Sequence, residues 1–449
     1  MTSPSHKQEK RKTTGYQAVV LAAGKSSRYW PLNKRHKSLT RMAGKTLLWW
    51  TIKALDDCGI KDIIVVHSPG VDIRNEIGQE FNGRVSFLIQ PEPLGTGNAL
   101  LLAKPFIKKP FLLIHPYKFF VKEIFHQLVR EKKQNEVVFV GLPTDRPQDY
   151  GILRFSRGNR VLEICENPAP RTEPSNLRTP GIYFLEPIYF DYYERITKEK
   201  EDSLIGAFNL LIKEKRASAI ILKQDLPTLK YPWSALLVLD YLLNSDRVKK
   251  YLAKSAVVGK NVVIKDKVFI GEKVIIDDNT VIHGPCYIAN NCHIGASNVL
   301  RGPVDLEEGV VTGAFAEIKN CLIGRGTHVH SGIFGDSIIG ENCRFGAGFV
   351  VANRRFDRGN IFSIVKEKRI DTHLTYFGFA VGDNTSFGVN SSIMPGVFVG
   401  SNCVIGPNSL VNENISDEIT FYATFNNVVK KRIDCHETRS LEHETQDNK

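Results

Sequence analysis

The chain has 449 residues, of which 42% are hydrophobic and 24% charged, and its net charge is +12. One ordinary core does not account for this length, and no apolar run resembles a membrane span or a secretory signal, so we predict a two-domain cytoplasmic protein without a membrane partner. Because Lys and Arg are spread along the chain instead of forming a basic stripe, we expect an anionic small molecule as partner and no nucleic acid.

The N-terminal half alternates apolar strands with segments of helical length. Strands are predicted at residues 18–23, 62–67 and 111–114, and the first runs into a Gly/Ser turn at residues 24–29. Such a turn presents backbone N–H groups and hydroxyls to a phosphate chain. The alternation predicts a mainly parallel α/β sheet over residues 15–233, with its site at the carboxyl ends of the strands.

Three segments are predicted to lie outside the two domains. Residues 1–14 are basic and polar and are expected to be a disordered tail. Residues 234–252 are predicted to form a connector helix between the domains, with Ser234 as its N-cap. Residues 425–449 are polar and are expected to form a second disordered tail.

An aliphatic or aromatic residue recurs every six positions in the C-terminal half. The repeat comprises Val258, Ile264, Ile270, Ile276, Ile282, Ile288, Ile294, Leu300 and Leu306, then Ile333, Ile339, Phe345 and Val351, and finally Val381, Phe387, Ile393, Val399, Ile405 and Val411. Neither a 3.6-residue helix nor an alternating strand keeps this period on one face. A triangular coil does, because each such residue then stacks on its counterpart in the next coil, so residues 253–424 are predicted to form a left-handed parallel β-helix.

The same frame makes two further predictions. Cys286, Cys292, Cys343 and Cys403 each lie four places after a stacking residue, so we expect them to pack inwards as small hydrophobic residues. The frame slips between residues 312 and 329 and is interrupted at residues 352–380. That second segment is rich in Arg and Lys, which predicts a loop on the binding face suited to phosphate or coenzyme A.

Six motifs of the N-terminal half resemble those of sugar-1-phosphate nucleotidylyltransferases, in the same order. They are LAAGKSSRYWPL, HKSLTRMAGKTLL, QPEPLGTGNA, YGILRF, EICENP and GIYFL. With the hexapeptide half, the chain resembles the bifunctional N-acetylglucosamine-1-phosphate uridylyltransferase/glucosamine-1-phosphate acetyltransferases of archaeal type. The resemblance implies an α/β chain in which a Rossmann-like nucleotidyltransferase domain precedes the β-helix, and it implies a homotrimer.

The resemblance also implies a nucleotide and sugar-phosphate site in the N-terminal domain. Gly24, Ser26, Ser27 and Arg28 would hold the triphosphate of UTP, Lys37 the reacting phosphates, Gln90, Gly95 and Thr96 the base, and Glu166 and Gly181 the sugar. The implied reaction is in-line attack of a sugar phosphate on an α-phosphorus, assisted by Mg²⁺.

The sequence departs from this family at the metal ligands. Tyr117 and Thr228 stand where the family has metal-binding side chains, the first of them an Asp, and Asn167 replaces a Lys. Mg²⁺ prefers hard oxygen ligands and usually includes a carboxylate. We therefore expect no metal at these positions and weak or absent uridylyl transfer, since the ion would neutralise charge in the transition state.

The acetyltransferase half keeps a candidate general base. Residues 327–337 resemble the family segment with His330 at the position of the base, although a lone His is more often structural. A His with a near-neutral pKa can take a proton from the amine of glucosamine 1-phosphate as it attacks acetyl-CoA. Lys319 and Asn353 match residues that hold the sugar phosphate and its surroundings.

Three further positions of the acetyltransferase half do not match. Arg344 replaces an Asn but can still pair with phosphate. Ile333 replaces a Tyr and Phe362 replaces a Lys, so both remove polar contacts.

Three functional hypotheses follow. The first is acetyl-CoA-dependent N-acetylation of glucosamine 1-phosphate by the β-helix, with a degenerate nucleotidyltransferase domain. The second is an active UTP-dependent sugar-1-phosphate nucleotidylyltransferase, in which Mg²⁺ is held by substrate phosphates and other ligands. The third is a trimeric binding scaffold in which both sites have lost catalysis.

Overall fold

The structure is a computed structural model that describes residues 14–70, 73–156, 159–197, 204–223 and 226–424. Both predicted tails, apart from residue 14, lie outside these residues. An α/β domain is followed by a parallel β-helix, as predicted. No helix among the described residues is long and apolar enough to cross a membrane.

The N-terminal domain is built on a ten-stranded sheet. Its strands, with those of a small hairpin (β2 and β3), are β1 (Gln17–Ala22), β2 (Arg41–Met42), β3 (Lys45–Thr46), β4 (Ile63–His67), β5 (Val85–Ile89), β6 (Phe111–Ile114), β7 (Val137–Pro143), β8 (Gly151–Phe155), β9 (Val161–Glu166), β10 (Leu177–Arg178), β11 (Ile182–Leu185) and β12 (Ala217–Ile221). The sheet order is β5-β4-β1-β6-β11-β7-β10-β8-β9, with β12 beside β7. Strands β5, β4, β1 and β6 are parallel, as predicted, and so are β12 and β7. Strands β8, β9, β10 and β11 pair in antiparallel, so the sheet is mixed and the prediction of a mainly parallel sheet was wrong for this half.

The described part of the chain contains seven α-helices. They are α1 (Leu47–Asp57), α2 (Ile73–Ile77), α3 (Thr96–Leu101), α4 (Val121–Lys132), α5 (Tyr189–Thr197), α6 (Leu204–Glu214) and α7 (Ser234–Asn244). Alternate residues of β1 point into different cores, Val20 towards the core that contains α1 and α4 and Val19 towards the core that contains α6. Every residue of β1 is buried because helices cover both faces, which explains its continuous apolar run.

The connector helix is shorter than predicted. Helix α7 ends at Asn244, where Ser245 becomes extended and its hydroxyl donates to the Leu242 carbonyl over 2.7 Å, whereas the prediction continued to residue 252. Ser234 is the first helical residue and not the N-cap. Its hydroxyl oxygen accepts the backbone N–H of Tyr231 over 3.3 Å, so the side chain closes the preceding turn.

The β-helix begins directly after this connection. Its strands are β13 (Tyr251–Leu252), β14 (Val257–Val258), β15 (Val263–Lys265), β16 (Val268–Ile270), β17 (Ile275–Ile276), β18 (Val281–His283), β19 (Cys286–Ile288), β20 (His293–Ile294), β21 (Val299–Leu306), β22 (Val311–Thr312), β23 (Ala316–Ile323), β24 (His328–Val329), β25 (Gly332–Ile339), β26 (Arg344–Phe345), β27 (Phe349–Val351), β28 (Phe362–Val365), β29 (Lys368–Asp371), β30 (Phe379–Val381), β31 (Ser386–Phe387), β32 (Ser392–Ile393), β33 (Val397–Val399), β34 (Val404–Ile405), β35 (Leu410–Val411) and β36 (Thr420–Phe421). All of them except the β28/β29 hairpin pair in parallel with neighbouring coils.

The register of the coils explains both the repeat and its slip. Ile270 pairs with Ile288 and Ile288 with Leu306, so a regular coil contains 18 residues. Leu306 then pairs with Ile323, and Ile323 with Ile339, so the next two coils contain 17 and 16 residues. These shorter coils shift the six-residue frame where the sequence showed a slip.

The predicted inward cysteines lie in the core of the β-helix. Cys286, Cys292, Cys343 and Cys403 are buried among the stacked aliphatic and aromatic residues. Cys321 is buried there as well. The repeat could not predict its position because it lies within the shortened coils.

The insertion at residues 352–380 is a packed element and not a projecting loop. Strands β28 and β29 form an antiparallel hairpin, and the Ile364 carbonyl accepts a 2.9 Å hydrogen bond from Asn414 Nδ2. Phe377 packs with Phe398 and Trp233 in a core that also contains α1, α4 and α7. The insertion therefore helps to fill the seam between the domains.

Polar contacts also join the domains at the turn between β2 and β3. The backbone N–H of Ala43 donates to Asp305 over 2.6 Å, and that of Gly44 donates to Glu307 over 2.9 Å. A Cβ at Gly44 would collide with the Tyr287 hydroxyl. Both carboxyl groups are buried by this contact.

Candidate active sites

The N-terminal cleft lies at the carboxyl ends of β1 and β6. One cavity of about 380 Å³ is lined by predicted nucleotide-binding residues together with the segment that follows β6. The predicted residues in it are Gly24, Arg28, Lys37, Gln90, Gly95 and Thr96. The structure therefore brings six of these positions, which are distant in sequence, to one edge of the sheet.

A second cavity continues the cleft. It has a volume of about 370 Å³ and contains Glu166 and Gly181, the two positions expected beside the sugar. Arg28 and Lys37 line both cavities. Their cations thus lie where the two cavities meet, which is where reacting phosphates would be placed.

Ser26 and Ser27 do not line either cavity. Ser26 adopts a left-handed conformation with φ of 50°, and its hydroxyl oxygen accepts the backbone N–H of Lys37 over 3.1 Å. Ser27 opens the short 3-10 helix Ser27–Tyr29. The two serines therefore shape the turn that carries Arg28, and Ser26 ties this turn to the 3-10 helix that begins at Lys37.

Two residues of the cleft have fixed orientations. Lys37 Nζ donates to the Leu229 carbonyl over 2.7 Å, and burial together with Arg28 and Lys230 lowers its pKa to about 8. Gln90 donates from its amide nitrogen to the Gly95 carbonyl over 3.1 Å, which holds the loop before α3. Both side chains are thus positioned by the protein itself.

Position 181 requires glycine because of its backbone conformation and the adjacent His115 ring. Its φ is 79°, and a Cβ there would collide with the His115 ring. Burial is the main cause that lowers the pKa of His115 to about 3, and Lys118 and Lys37 lower it further. The imidazole is therefore neutral at pH 7 and stacks parallel to Tyr117 at 5.8 Å.

Cations outnumber carboxylates on the described walls of the cleft. The basic side chains are Lys25, Arg28, Lys37, Arg178 and Lys230, and the acidic ones are Asp149 and Glu166. A cleft with this excess attracts a phosphorylated ligand.

The β-helix carries a second cluster of polar side chains around Asp336. This carboxylate is only 2% exposed and accepts hydrogen bonds from Asn353 Nδ2 at 2.5 Å and Asn320 Nδ2 at 2.7 Å. Lys319 Nζ lies 3.4 Å from it and 4.6 Å from the centre of the Tyr376 ring. Two predicted substrate-binding residues, Lys319 and Asn353, therefore share one buried anion.

His330 lies at a different corner of the coil. It is exposed between β24 and β25, and its backbone N–H donates to the Phe345 carbonyl over 2.9 Å. The face from Gly332 to Gly335 separates it from Asp336, a span of about 13 Å for four strand residues. Among the described residues no hydrogen bond or ion pair joins the His330 side chain to the Asp336 cluster.

The remaining acetyltransferase positions are also apart from that cluster. Arg344 is exposed on β26, in register with His328 on another face of the coil. Ile333 is 47% exposed on the face next to His330. Phe362 lies in the inserted hairpin, where the Arg369 guanidinium is 4.0 Å from its ring centre.

The chain matches known proteins along both domains. The Nucleotidyl transferase family matches residues 17–234, and two hexapeptide-repeat families match residues 267–302 (Bacterial transferase hexapeptide) and 379–413 (Hexapeptide repeat of succinyl-transferase). The Bifunctional protein GlmU of Methanococcus vannielii is 33% identical, over 92% of this chain and 99% of that protein. The chain belongs to the bifunctional GlmU family.

Other relatives support this assignment. The Bifunctional protein GlmU of Methanocaldococcus jannaschii is 34% identical, over 90% of this chain and 97% of that protein. The Bifunctional sugar-1-phosphate nucleotidylyltransferase/acetyltransferase of Sulfurisphaera tokodaii is 33% identical, over 89% of this chain and 98% of that protein. The family resemblance predicted from the motifs is therefore confirmed, and the chain is a member of a transferase family.

As a member of the GlmU family, this chain has an unusual donor set at the implied metal position. Burial raises the pKa of the Tyr117 phenol, which keeps it protonated. The Thr228 hydroxyl oxygen accepts a hydrogen bond from Lys118 Nζ. A phenol, a hydroxyl and an ammonium group do not fit Mg²⁺, and the described residues contain no cluster of His, Cys, Asp or Glu suited to a metal ion.

Two residues of the GlmU-type sites were missed by sequence reasoning. Asp336 lies inside the matched segment at residues 327–337, so its position beside a candidate base was a usable signal. Lys118 follows Tyr117 directly, but its contact with Thr228 spans 110 residues. Nothing in the local sequence indicates that contact.

Proposed function

We propose that this chain acetylates glucosamine 1-phosphate with acetyl-CoA at its β-helix, as a homotrimer in the cytoplasm. The N-terminal domain binds a nucleotide or a sugar phosphate but transfers no nucleotidyl group, because the donor set at Tyr117 and Thr228 does not fit the Mg²⁺ that the reaction requires. The names of the GlmU relatives and the two sites support this division of roles.

The observation that carries the proposal is the cluster held by Asp336. A buried carboxylate that binds both Lys319 and Asn353 fixes an ammonium group at the surface of the coil, where it is suited to the phosphate of the acceptor sugar. Fixing it in advance lowers the entropy lost on binding. Lys319 held in this way favours one position of the phosphate, which a freely moving surface lysine would not.

The reaction needs a base that takes a proton from the attacking amine and a proton source for the leaving thiolate. The amine nitrogen of the sugar attacks the thioester carbonyl carbon, a C–N bond forms, and the C–S bond breaks with release of coenzyme A. His330 takes the proton from the attacking amine. The thiolate of coenzyme A leaves and is protonated by the medium.

The separation of His330 from Lys319 supports a site shared between copies of the chain. Three parallel β-helices related by a three-fold axis form a closed assembly in which one corner of each coil faces its neighbour. In this arrangement one copy supplies His330 and the next supplies Lys319 and Asn353.

The first experiment measures release of coenzyme A from acetyl-CoA after glucosamine 1-phosphate is added to the full chain. We expect turnover in the wild type and its loss in His330→Ala. His293→Ala is the control, because His293 pairs with Asp277 at 2.9 Å and is in register with His328, not with His330, two coils later. Equal turnover in the wild type and His330→Ala would disprove His330 as the base, and no turnover in either protein would favour a non-catalytic scaffold.

Mixed trimers test whether the site is shared. We expect His330→Ala and Lys319→Met chains to be inactive alone. Co-expressed in equal amounts, they should regain activity, because roughly one quarter of neighbouring pairs then combine an intact His330 with an intact Lys319. Mixtures without any regain of activity would place the site within one chain.

Release of pyrophosphate from UTP in the presence of Mg²⁺ and a sugar 1-phosphate tests the N-terminal domain. We expect no release above that of a blank. Sustained release would restore the hypothesis of an active nucleotidylyltransferase.

A further inference from the structure

Lys118 is a buried residue beside the N-terminal cleft. It is close to both residues at the implied metal positions, Tyr117 and Thr228. Its side chain is fully buried, and its Nζ donates to the Thr228 hydroxyl oxygen. The same Nζ is 5.1 Å from the centre of the Tyr117 ring. The protein thus places a cation of its own beside the two side chains that replace metal ligands.

The hydrogen bond from Lys118 determines whether the Thr228 hydroxyl donates or accepts towards the cleft. A hydroxyl has one proton to donate, and an oxygen that accepts from an ammonium group is left to direct this proton elsewhere. Thr228 lines the cleft together with Tyr117, whose side chain also carries a hydroxyl group. Both hydroxyl groups are therefore suited to donate to an anion in the cleft.

Nearby cations strengthen this preference. Lys37 Nζ is 4.7 Å from the centre of the Tyr117 ring, and Arg28 lines the same cavities. A divalent cation placed among Lys37, Arg28 and Lys118 would be repelled, whereas phosphate oxygens would be attracted. The local charge is therefore opposite to that of a metal site.

We propose that the implied metal position is an anion subsite, which binds phosphate oxygens of a nucleoside triphosphate directly through the Thr228 and Tyr117 hydroxyls without a divalent metal. Lys118 is a positioning residue that orients Thr228 and adds positive charge on the buried side of the subsite. The inference rests on the proposed nucleotide binding by the N-terminal domain and not on acetyl transfer.

Titration calorimetry of the full chain with UTP, in EDTA and in excess Mg²⁺, tests this inference. We expect binding in EDTA that is weakened when Mg²⁺ is added, since the Mg²⁺ complex of UTP carries less negative charge. Lys118→Met should weaken binding in EDTA by about tenfold, the effect of losing one hydrogen bond to a charged group. Lys122→Met, at the exposed lysine that pairs with Asp57, is the matched control.

Thr228→Val keeps the shape of the side chain and removes the proposed donor. It provides a second test if Lys118→Met does not fold, which its melting temperature would show. Binding that requires Mg²⁺, absence of UTP binding in both solutions, or wild-type affinity in Thr228→Val would each overturn the anion subsite. The release of coenzyme A by the β-helix is measured separately, so failure of either proposal is recognised independently.

Discussion

Replacing Glu307 by Gln should change how the stability of the protein depends on pH. Glu307 is 2% exposed at the domain contact, where it accepts the Gly44 backbone N–H. Burial is the main cause that raises its pKa to about 7, against the lowering effect of Arg41 and Arg325. Gln keeps an acceptor for Gly44 but cannot ionise.

The size of the effect follows from this pKa. A carboxyl group whose pKa is raised by folding stabilises the folded state fully at pH values below its unfolded pKa. This contribution is lost as the pH rises through the folded pKa. Between pH 6 and pH 8 the unfolded carboxyl group stays ionised, whereas Glu307 changes from mainly protonated to mainly ionised. Glu307 should therefore cost the wild type on the order of 1 kcal/mol of unfolding free energy across this range. The charge of Glu307 also raises the pKa of the buried Asp305, so its removal acts on Asp305 in the same direction.

Thermal unfolding at pH 6, 7 and 8 measures this difference. Burial lowers the pKa of His36 to about 4 and that of His115 to about 3, so these groups make the protein more stable as the pH rises. They are present in both proteins, and subtraction of the Glu307→Gln curve removes their contribution. We expect the melting temperature of the variant, relative to wild type, to increase by a few degrees from pH 6 to pH 8.

A matched control is Glu308→Gln, at the exposed neighbour whose carboxylate accepts from Asn291 over 3.0 Å. Its melting temperature should follow that of the wild type at all three pH values. A difference between Glu307→Gln and wild type that stays constant from pH 6 to pH 8 would refute a raised pKa at Glu307.

Two further variants test the two sites. Gly181→Ala should weaken UTP binding at least tenfold and lower the melting temperature, because its Cβ collides with His115 and φ is 79°, and calorimetry with melting curves measures both. Unchanged binding would mean that the cleft adapts at no cost. Asp336→Asn should raise the KM for glucosamine 1-phosphate about tenfold with a smaller effect on kcat, since Lys319 loses its anion, whereas Asp357→Asn in the exposed pair with Arg355 should not. An equal KM in Asp336→Asn and wild type would exclude a role for this cluster in acceptor binding.

The main features of the fold could be predicted because they arise from local periodicity. The six-residue repeat that includes Ile270 and Ile288 requires a stacked coil, and the apolar run of β1 requires a strand covered on both faces. The end of α7 could not be predicted, since residues 245–252 keep the composition of a helix. Ser245 leaves the helix there so that the chain can enter the first coil.

The candidate sites were less predictable than the fold. Motif order placed Arg28 and Lys37 in one cleft, because both lie within the short segment that follows a single strand. The contact of Lys118 with Thr228 and the pairing of Lys319 with Asp336 depend on tertiary structure. Residue spacing along the chain does not show whether such side chains meet. It also does not show that His330 lies at a different corner of the coil from Asp336.

The seam that joins Trp233, Phe377 and Phe398 has a consequence for how the protein can change over time. These rings belong to both halves of the molecule, so removal of the N-terminal domain would leave a large apolar surface on the β-helix. The N-terminal domain is therefore needed to cover this surface, whatever its own activity. Residues that line its cleft can change without uncovering the β-helix, whereas residues on its inner face cannot.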